Sequence, residues 1–405
     1  MRAPRTPTPL RDHAVTVVTP PSPIGRFYAG QQPVNIAMLS TYPPTQCGLA
    51  TFNAALHKEL VKGPGSVGVI RVLDQIDGRD GYEVVGHLVN GSADSAAQVV
   101  ATLNTYDAVV IQHEYGIYGG PDGSDVVDLL DALTIPAIVV CHTVLQQPTS
   151  RQRRILERLM ASAAVLVTMT ETARQRLVDV YGADPARVVQ IPHGAMIPPA
   201  ASQGVRTPGR RPLILTWGLL GPGKGIEWAL DAMPGLADLE PRYLILGKTH
   251  PKVFQRDQEA YRDSLISRAE AHGVQHLVEF DDSYLSVSQL ADLVASADVV
   301  LLPYDSREQV TSGVLIEAVA AGRPVVSTAF PHAVELLSDG PGLVVPQRDA
   351  AALESALRRV LSEPGLAEGM ARMAARKAPE LSWSAVAGQY RRIAQALTSA
   401  GTPKL

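Results

Sequence analysis

LPYDSREQVTSGVLIEAVAAGRP, residues 302–324, is the stretch on which the reading of the fold turns. An apolar run (Val299, Val300, Leu301, Leu302) leads as a strand into a polar loop. The loop turns at Ser312-Gly313 into a helix whose Val314, Leu315, Ala318, Val319 and Ala321 keep helical spacing. Gly322 ends that helix, and Pro324 precedes the next apolar strand. A glycine at a helix start presents free backbone N–H groups to an anion, and Glu317 lies about one turn further in. That arrangement suits a ribose diphosphate, with phosphate on the helix N-terminus and hydroxyls on the carboxylate. An ordinary capped strand–turn–helix would show the same pattern, so the surrounding chain has to decide.

On both sides of this stretch, short apolar runs alternate with helical segments. Upstream, strands are expected at 34–39, 67–72, 84–89, 108–112, 137–141, 165–168 and 188–191. Helices are expected near 50–62, 96–103, 125–133, 150–160 and 171–181. Residues 197–212 (IPPAASQGVRTPGRRP) are rich in Pro, Gly, Ser and Arg, without apolar period, and read as a linker. The alternation resumes with strands at 213–216, 243–246, 278–280, 299–302, 325–327 and 343–345. The matching helices are at 227–233, 261–272, 287–295, 350–361 and 382–397. The expected fold class is α/β, with two doubly wound parallel sheets in tandem. The expected units are a mobile Pro-rich tail over 1–33, an N-terminal domain over 34–196 and a linker over 197–212. A second domain covers 213–381, and a closing segment covers 382–405.

Bulk properties narrow the function. A chain of 405 residues exceeds one ordinary core. Charge is nearly balanced, 36 basic against 40 acidic residues, and no basic run is interleaved with aromatics, which argues against nucleic-acid binding. The two cysteines, Cys47 and Cys141, give neither a disulfide framework nor metal-ligand spacing, and a reducing cytoplasm is expected. No apolar run approaches the roughly 18 residues of a membrane span. The first thirty-odd residues lack the apolar core of a signal peptide.

In open parallel sheets ligands sit beyond the carboxyl ends of the strands. The polar and glycine-rich clusters fall at such places. In the first half they are Gln46-Cys47-Gly48, His113-Glu114, His142-Thr143, Thr170-Glu171 and His193-Gly194. In the second half they are Gly218–Lys224, Gly247-Lys248, Tyr304-Asp305 and Ser312-Gly313. If the two carboxyl edges face each other, all of these line one interdomain cleft. The loop TWGLLGPGKGIE follows a strand and opens a helix. Gly221, Gly223 and Gly225 let backbone approach a ligand, and Lys224 adds a cation, yet neither a Walker A ending nor a dinucleotide fingerprint is present. His142 follows the strand AIVVC and could hydrogen-bond a sugar hydroxyl or cap the next segment. His113 and Glu114 are placed similarly, and His193 could simply cap the turn before the linker. No nucleophile elbow, HExxH motif or carboxylate cluster stands out, so no metal and no cofactor are expected.

Two tandem α/β halves, the glycine-rich lysine loop and PY…SGVLIEAVAAGRPVV together resemble the retaining family-4 glycosyltransferases of the GT-B fold. The resemblance implies two Rossmann-like domains facing a cleft, with the final helix crossing back to the first domain. It implies sugar transfer from a nucleotide-sugar donor, such as GDP-mannose or UDP-glucose, to an acceptor hydroxyl with retained configuration. Lys224 would then neutralise the leaving diphosphate, Ser312 and Gly313 amides would bind its distal phosphate, and Glu317 would hold the ribose. The implied donor-binding set is Gly48, Gly218, Gly223, Lys224, Ser312, Gly313, Val314 and Glu317. His142, Lys224 and Gln309 are the implied catalytic residues, with His113, Glu114, Thr170 and Glu308 as candidate sugar or acceptor contacts. Two positions depart from the family pattern. Gln309 stands where the first glutamate of Glu-x7-Glu is usual, with Glu308 one place off. Leu219 stands where an arginine is common, a cation that Arg307, Arg323 or Lys248 would have to replace.

The expected function is therefore a cytoplasmic, metal-independent, retaining glycosyltransferase. Its partners would be a nucleotide sugar and a hydroxylated acceptor, without nucleic acid or a transmembrane segment, while a peripheral membrane contact stays open. A nucleotide-sugar epimerase or hydrolase of the same fold is the alternative, and a non-catalytic nucleotide-sugar binding protein is a third reading.

Overall fold

The computed structural model describes residues 32–78, 80–198, 210–283 and 285–399. Two all-parallel sheets organise them. The first holds seven strands: β1 (Ile36–Ser40), β2 (Val67–Leu73), β3 (Val84–Val89), β4 (Ala108–His113), β5 (Ala137–Cys141), β6 (Val165–Thr168) and β7 (Val188–Gln190), in the order 3-2-1-4-5-6-7. Its helices are α1 (Gly48–Leu60), α2 (Ala93–Leu103), α3 (Asp125–Asp131), α4 (Ser150–Ser162) and α5 (Glu171–Tyr181). The central strands are apolar up to their carboxyl ends because helices cover both faces: every residue of β1, β4 and β5 is buried, and the polar ones, Ser40, Gln112 and His113, stand at the strand ends.

The second sheet holds six strands: β8 (Leu213–Trp217), β9 (Arg242–Leu246), β10 (Val278–Asp281), β11 (Val299–Leu302), β12 (Val325–Thr328) and β13 (Gly342–Val345), in the order 10-9-8-11-12-13. Around it pack α6 (Ile226–Ala232), α7 (Pro251–Asp257), α8 (Ala260–Ala271), α9 (Val287–Ser296), α10 (Gly313–Ala320), α11 (Pro331–Leu337), α12 (Ala350–Ser362) and α13 (Leu366–Lys377). The two orders repeat one topology. β8 and β11 stand in the second sheet where β1 and β4 stand in the first, so each sheet reverses its winding between those two strands. That reversal opens a crevice at the carboxyl edge.

Polar residues start the helices that the periodicity marks. Ser92, Thr170 and Asp349 each accept an N–H of the first turn. Thr149 with Gln152 and Ser286 with Gln289 form reciprocal capping boxes. Helices α7, α11 and α13 were not foreseen, for physical reasons. α7 buries no residue and so shows no apolar stripe. α11 has only seven residues, and α13 buries only Met370 and Ala374. The expected tail and most of the expected linker fall on residues 1–31 and 199–209, which lie outside the described residues.

The last helix, α14 (Trp383–Ser399), returns to the first sheet. Val386, Ala387, Tyr390 and Ala394 pack in one apolar cluster with Phe52, Leu56 and Leu60 of α1 and with Ile36 and Met38 of β1. Arg391, 1% exposed, donates to the carbonyls of Pro64, at 2.6 Å, and Leu60. Gly63 leaves the room for that guanidinium: a Cβ there would stand 2.3 Å from its Nε.

Three polar joints tie the halves beside the cleft. Thr170 Oγ1 donates to Val310 O at 3.0 Å. Glu335 of α11 accepts from the backbone of Glu171 and Thr172 at 2.8 and 2.9 Å, capping α5 across the interface. Arg176 of α5 meets Glu308 at 2.9 Å, and the same carboxylate accepts from Gln146 N at 2.8 Å.

Candidate functional site

In the second half, the end of β8 and the start of α10 meet. Gly218 has φ 117, and the atom nearest to a Cβ there would be Val314 Cγ2 at 3.8 Å. The loop after β8 folds onto the loop after β11. Asp305 N donates to Gly223 O at 2.9 Å, and Gly225 sits so close to Pro303 that a Cβ would stand 1.8 Å from its carbonyl oxygen. Lys224 Nζ consequently lies 4.4 Å above the Tyr304 ring, which is stacked on Phe330 at 5.1 Å. The ring face attracts the ammonium without neutralising it. No carboxylate lies within ion-pair distance of Lys224 among the described residues, so its charge remains available to a ligand.

At the start of α10, Ser312 Oγ accepts from Leu315 N at 3.3 Å, and Ser312 N donates to His332 Nδ1 at 2.8 Å. This corrects the expectation for Ser312, because its amide is already engaged. The unengaged N–H groups of the first turn are those of Gly313 and Val314. Behind them, Glu317 accepts from the Trp217 indole at 3.3 Å. Burial raises its carboxyl to about 7, the indole partly opposing that rise.

In the first half, polar side chains gather at the ends of β4 and β5. His142 Nε2 is 2.7 Å from Gln112 Oε1 and so carries the proton, leaving Nδ1 as an acceptor. Burial, with His193 and His113 adding to it, lowers His142 to about 3. Glu114 accepts from Thr143 Oγ1 at 2.5 Å and from Tyr115 N at 2.9 Å. Burial raises its pKa, opposed by Thr143 and by the charge of Lys252 from the second half. Gly48 is the first residue of α1, and open space surrounds the position where its Cβ would be.

An aromatic cluster joins the two groups. The Phe52 ring, one turn into α1 from Gly48, makes edge contacts with His142 and His193 at 5.0 Å each and with Trp383 at 4.9 Å. His193 in turn packs on Gly313, where a Cβ would stand 2.9 Å from its Nε2.

Gly218, Gly313, Val314 and Glu317 therefore meet, with Lys224 further along the loop that follows Gly218, and His142 and Gly48 are linked to them through Phe52 and His193. Other expected contacts are engaged elsewhere. Thr170 both caps α5 and donates to Val310, and Glu308 is held by Arg176. His113 is buried, and neither of its ring nitrogens has a partner. Gly223 is exposed, at φ 91. Gln309 Nε2 donates to Thr311 O at 3.2 Å. Arg323 cannot replace the missing arginine: it precedes β12 at the opposite edge of the sheet and donates to the carbonyls of Ala295, Ala297 and Ala321. Sequence reading missed Trp217 and His332 as parts of the site. An aromatic residue at a strand end just before a glycine loop was the available signal for Trp217. Among the described residues, no three His, Cys, Asp or Glu side chains come together as a metal site.

Comparison with known proteins agrees with this geometry. The model of Glycosyltransferase Family 4 matches residues 9–195, and that of Glycosyl transferases group 1 matches residues 211–363. The chain belongs to the group 1, family 4 glycosyltransferases of the GT-B fold. A D-inositol 3-phosphate glycosyltransferase of Kineococcus radiotolerans is 29% identical over 266 residues, 59% of this chain and 59% of that one. A phosphatidyl-myo-inositol mannosyltransferase of Mycobacterium leprae is 29% identical over 243 residues, 58% of this chain and 60% of its own length. The match thus spans about 60% of the length of these curated relatives. Among solved structures, Anabaena HepE in complex with UDP and glucose superposes with a TM-score of 0.71 at 16% identity, covering 90% of this chain and 100% of that one. Sucrose-phosphate synthase of Thermosynechococcus elongatus gives 0.74 at 18%, covering 91% and 100%. At such identities these two likenesses establish the fold.

Proposed function

We propose that this glycosyltransferase transfers a sugar, with retention and without a metal, from a nucleotide-diphosphate sugar to an acceptor hydroxyl in the cytoplasm. The observation that carries the reading is a helix start with two unengaged amides, Gly313 and Val314, packed against Gly218 of the loop that also carries the unpaired cation Lys224. A diphosphate placed there meets a fixed charge and fixed dipoles, and it gains charge as the glycosidic bond breaks. Preorganised groups aimed at developing charge are commonly the largest catalytic contribution. Glu317, once ionised, accepts the ribose hydroxyls. HepE, which shares this fold, forms a complex with UDP and glucose.

The acceptor enters from the first half, where Glu114 and the free Nδ1 of His142 orient a hydroxyl. Two arginines of the first half are already paired, while Lys252 of the second half reaches that edge beside Glu114 and Gly116. Arg71 is held by Asp77 and Asp80 at 2.7 and 3.0 Å, and Arg176 by Glu308. His142 stays neutral and contributes a hydrogen bond rather than a charge. The acceptor's proton passes to the departing phosphate oxygen on the same face, a route that requires no side-chain nucleophile. Gln309 is compatible with this, since its amide can hydrogen-bond a sugar hydroxyl but cannot act as a base. The joints at Thr170, Glu308 and Glu335 hold the halves together and exclude water from the donor.

Turnover of a nucleotide-sugar panel by wild type and Lys224→Ala, with labelled sugar followed into the acceptor product, tests the reading. Transfer that falls sharply in the variant is expected, whereas equal turnover by both chains contradicts the phosphate role. Label found only in free sugar points to a hydrolase.

A further inference from the structure

His193 follows β7 in the first half, but its ring lies against the helix start of the second. Its Nδ1 is 2.7 Å from Gly194 O and donates to it, which leaves the lone pair on Nε2. That nitrogen has no hydrogen bond among the described residues, and it is the atom nearest to the place a Gly313 Cβ would occupy, at 2.9 Å. Any side chain at 313 would displace the ring, so the glycine keeps both the amides and the imidazole in place. The ring has little freedom to leave. Phe52 packs edge-on at 5.0 Å and Trp383 at 5.5 Å, while Trp383 also closes over Gly194, whose Cβ would stand 2.3 Å from the indole.

A bare lone pair beside an anion-binding helix start is a mismatch, because it would repel a phosphate oxygen. A proton on Nε2 turns the same contact into a charge-assisted hydrogen bond. We propose that His193 is the first half's contact to the distal phosphate of a bound nucleoside diphosphate, taking up a proton from solvent on Nε2 as that phosphate arrives. The inference rests on the donor-site reading above and adds a phosphate ligand from the opposite domain.

The electrostatic surroundings fit. With the site empty, burial holds His193 down to about 4, and no carboxylate opposes that. The titratable groups facing it are His142 after β5 and His332 on α11, both held neutral by burial. Phe52 of α1, Trp383 of α14 and Gly313 of α10 bring no charge. A phosphate dianion thus supplies the missing opposite charge, and at such range it raises an imidazole by roughly 2 units or more.

Calorimetric titration of the full chain with UDP, GDP, UMP and GMP near about pH 6, in two buffers of different ionisation enthalpy, reads the proton directly. Wild type is expected to take up about half a proton or more per bound diphosphate beyond the count for His193→Asn, and to bind that diphosphate about tenfold more tightly. Monophosphate affinity should change less than about twofold between the two chains, since UMP and GMP lack the distal phosphate. Glu317 responds to the ribose, which all four nucleotides share, so the difference between chains isolates the imidazole. His193→Gln and the thermal midpoint of each variant guard against a folding defect, which would weaken mono- and diphosphates alike. Diphosphate binding that His193→Asn leaves untouched, in affinity and proton count, overturns this inference alone. A wild type that binds neither diphosphate overturns the donor-site reading and this inference with it.

Discussion

The loops after β1 and β4 in the first sheet hold the same topological positions as the loops after β8 and β11 in the second, yet they are chemically opposite. In the second half, the loop after β8 offers an unpaired ammonium, and α10 offers two unengaged amides. In the first half, the helix after β1 is capped by Cys47, whose Sγ accepts from Ala50 N at 3.4 Å, and the loop after β4 opens with a buried neutral histidine and a carboxyl. On the proposed reading, one winding thus yields one edge for a diphosphate and one for a hydroxylated acceptor. Topology fixes where ligands sit, and side chains decide which ligand sits on which side.

Substitutions can break this contrast, beginning with its strongest element. Lys224→Ala should lower kcat/KM for the nucleotide sugar by about 10²–10³-fold with little change in thermal midpoint, because it removes charge stabilisation from the site alone. Steady-state kinetics with the donor varied checks it.

The next effect comes from pH. Glu317 in the empty site is raised to about 7 by burial, and only its ionised form accepts both ribose hydroxyls. Donor affinity should therefore strengthen as pH rises through about 7 and weaken by roughly tenfold per unit below it. A Glu317→Gln chain should bind more weakly and lose that rise with pH. Stability moves the other way. A carboxyl whose folded pKa lies above its unfolded value stabilises most below the unfolded value and loses that contribution as pH rises through the folded one. The ligand-free wild type should therefore lose stability between about pH 5 and pH 7 relative to Glu317→Gln, as thermal unfolding across that window would record.

On the acceptor side, Glu114→Gln should raise the acceptor KM about tenfold while donor KM changes less than about twofold. Equal shifts in both would erase the division between the two edges. The smallest expected effect belongs to the joint. Glu308→Gln weakens a partly exposed ion pair with Arg176 and should lower kcat only a few-fold, since such pairs contribute about 1 kcal/mol or less.

Much of the fold was legible in the sequence, because buried parallel strands read as continuous apolar runs and their helices carry polar caps. IAMLS, AIVVC and VVLL left little choice, and the polar clusters duly sit at carboxyl edges. The donor helix was legible too, since Gly313 and Glu317 lie close together in the chain. The remaining features depend on pairs that sequence spacing cannot reveal. Trp217 reaches Glu317 over 100 residues, and Thr172 reaches Glu335 over 163. Ser312 could not be known to give its amide to His332, because the short helix carrying His332 has no visible period. His193 looked like a turn cap, and in part it is one, through Nδ1. Its other nitrogen acquires meaning only when α10 is folded against it.

Hydrogen–deuterium exchange of the full chain with and without UDP or GDP tests the central contrast most directly. The account predicts slowed exchange in peptides spanning 218–225 and 312–317 on binding, with 114–120 unchanged. Protection of 114–120 without protection of 312–317 would place the diphosphate in the wrong half and contradict it.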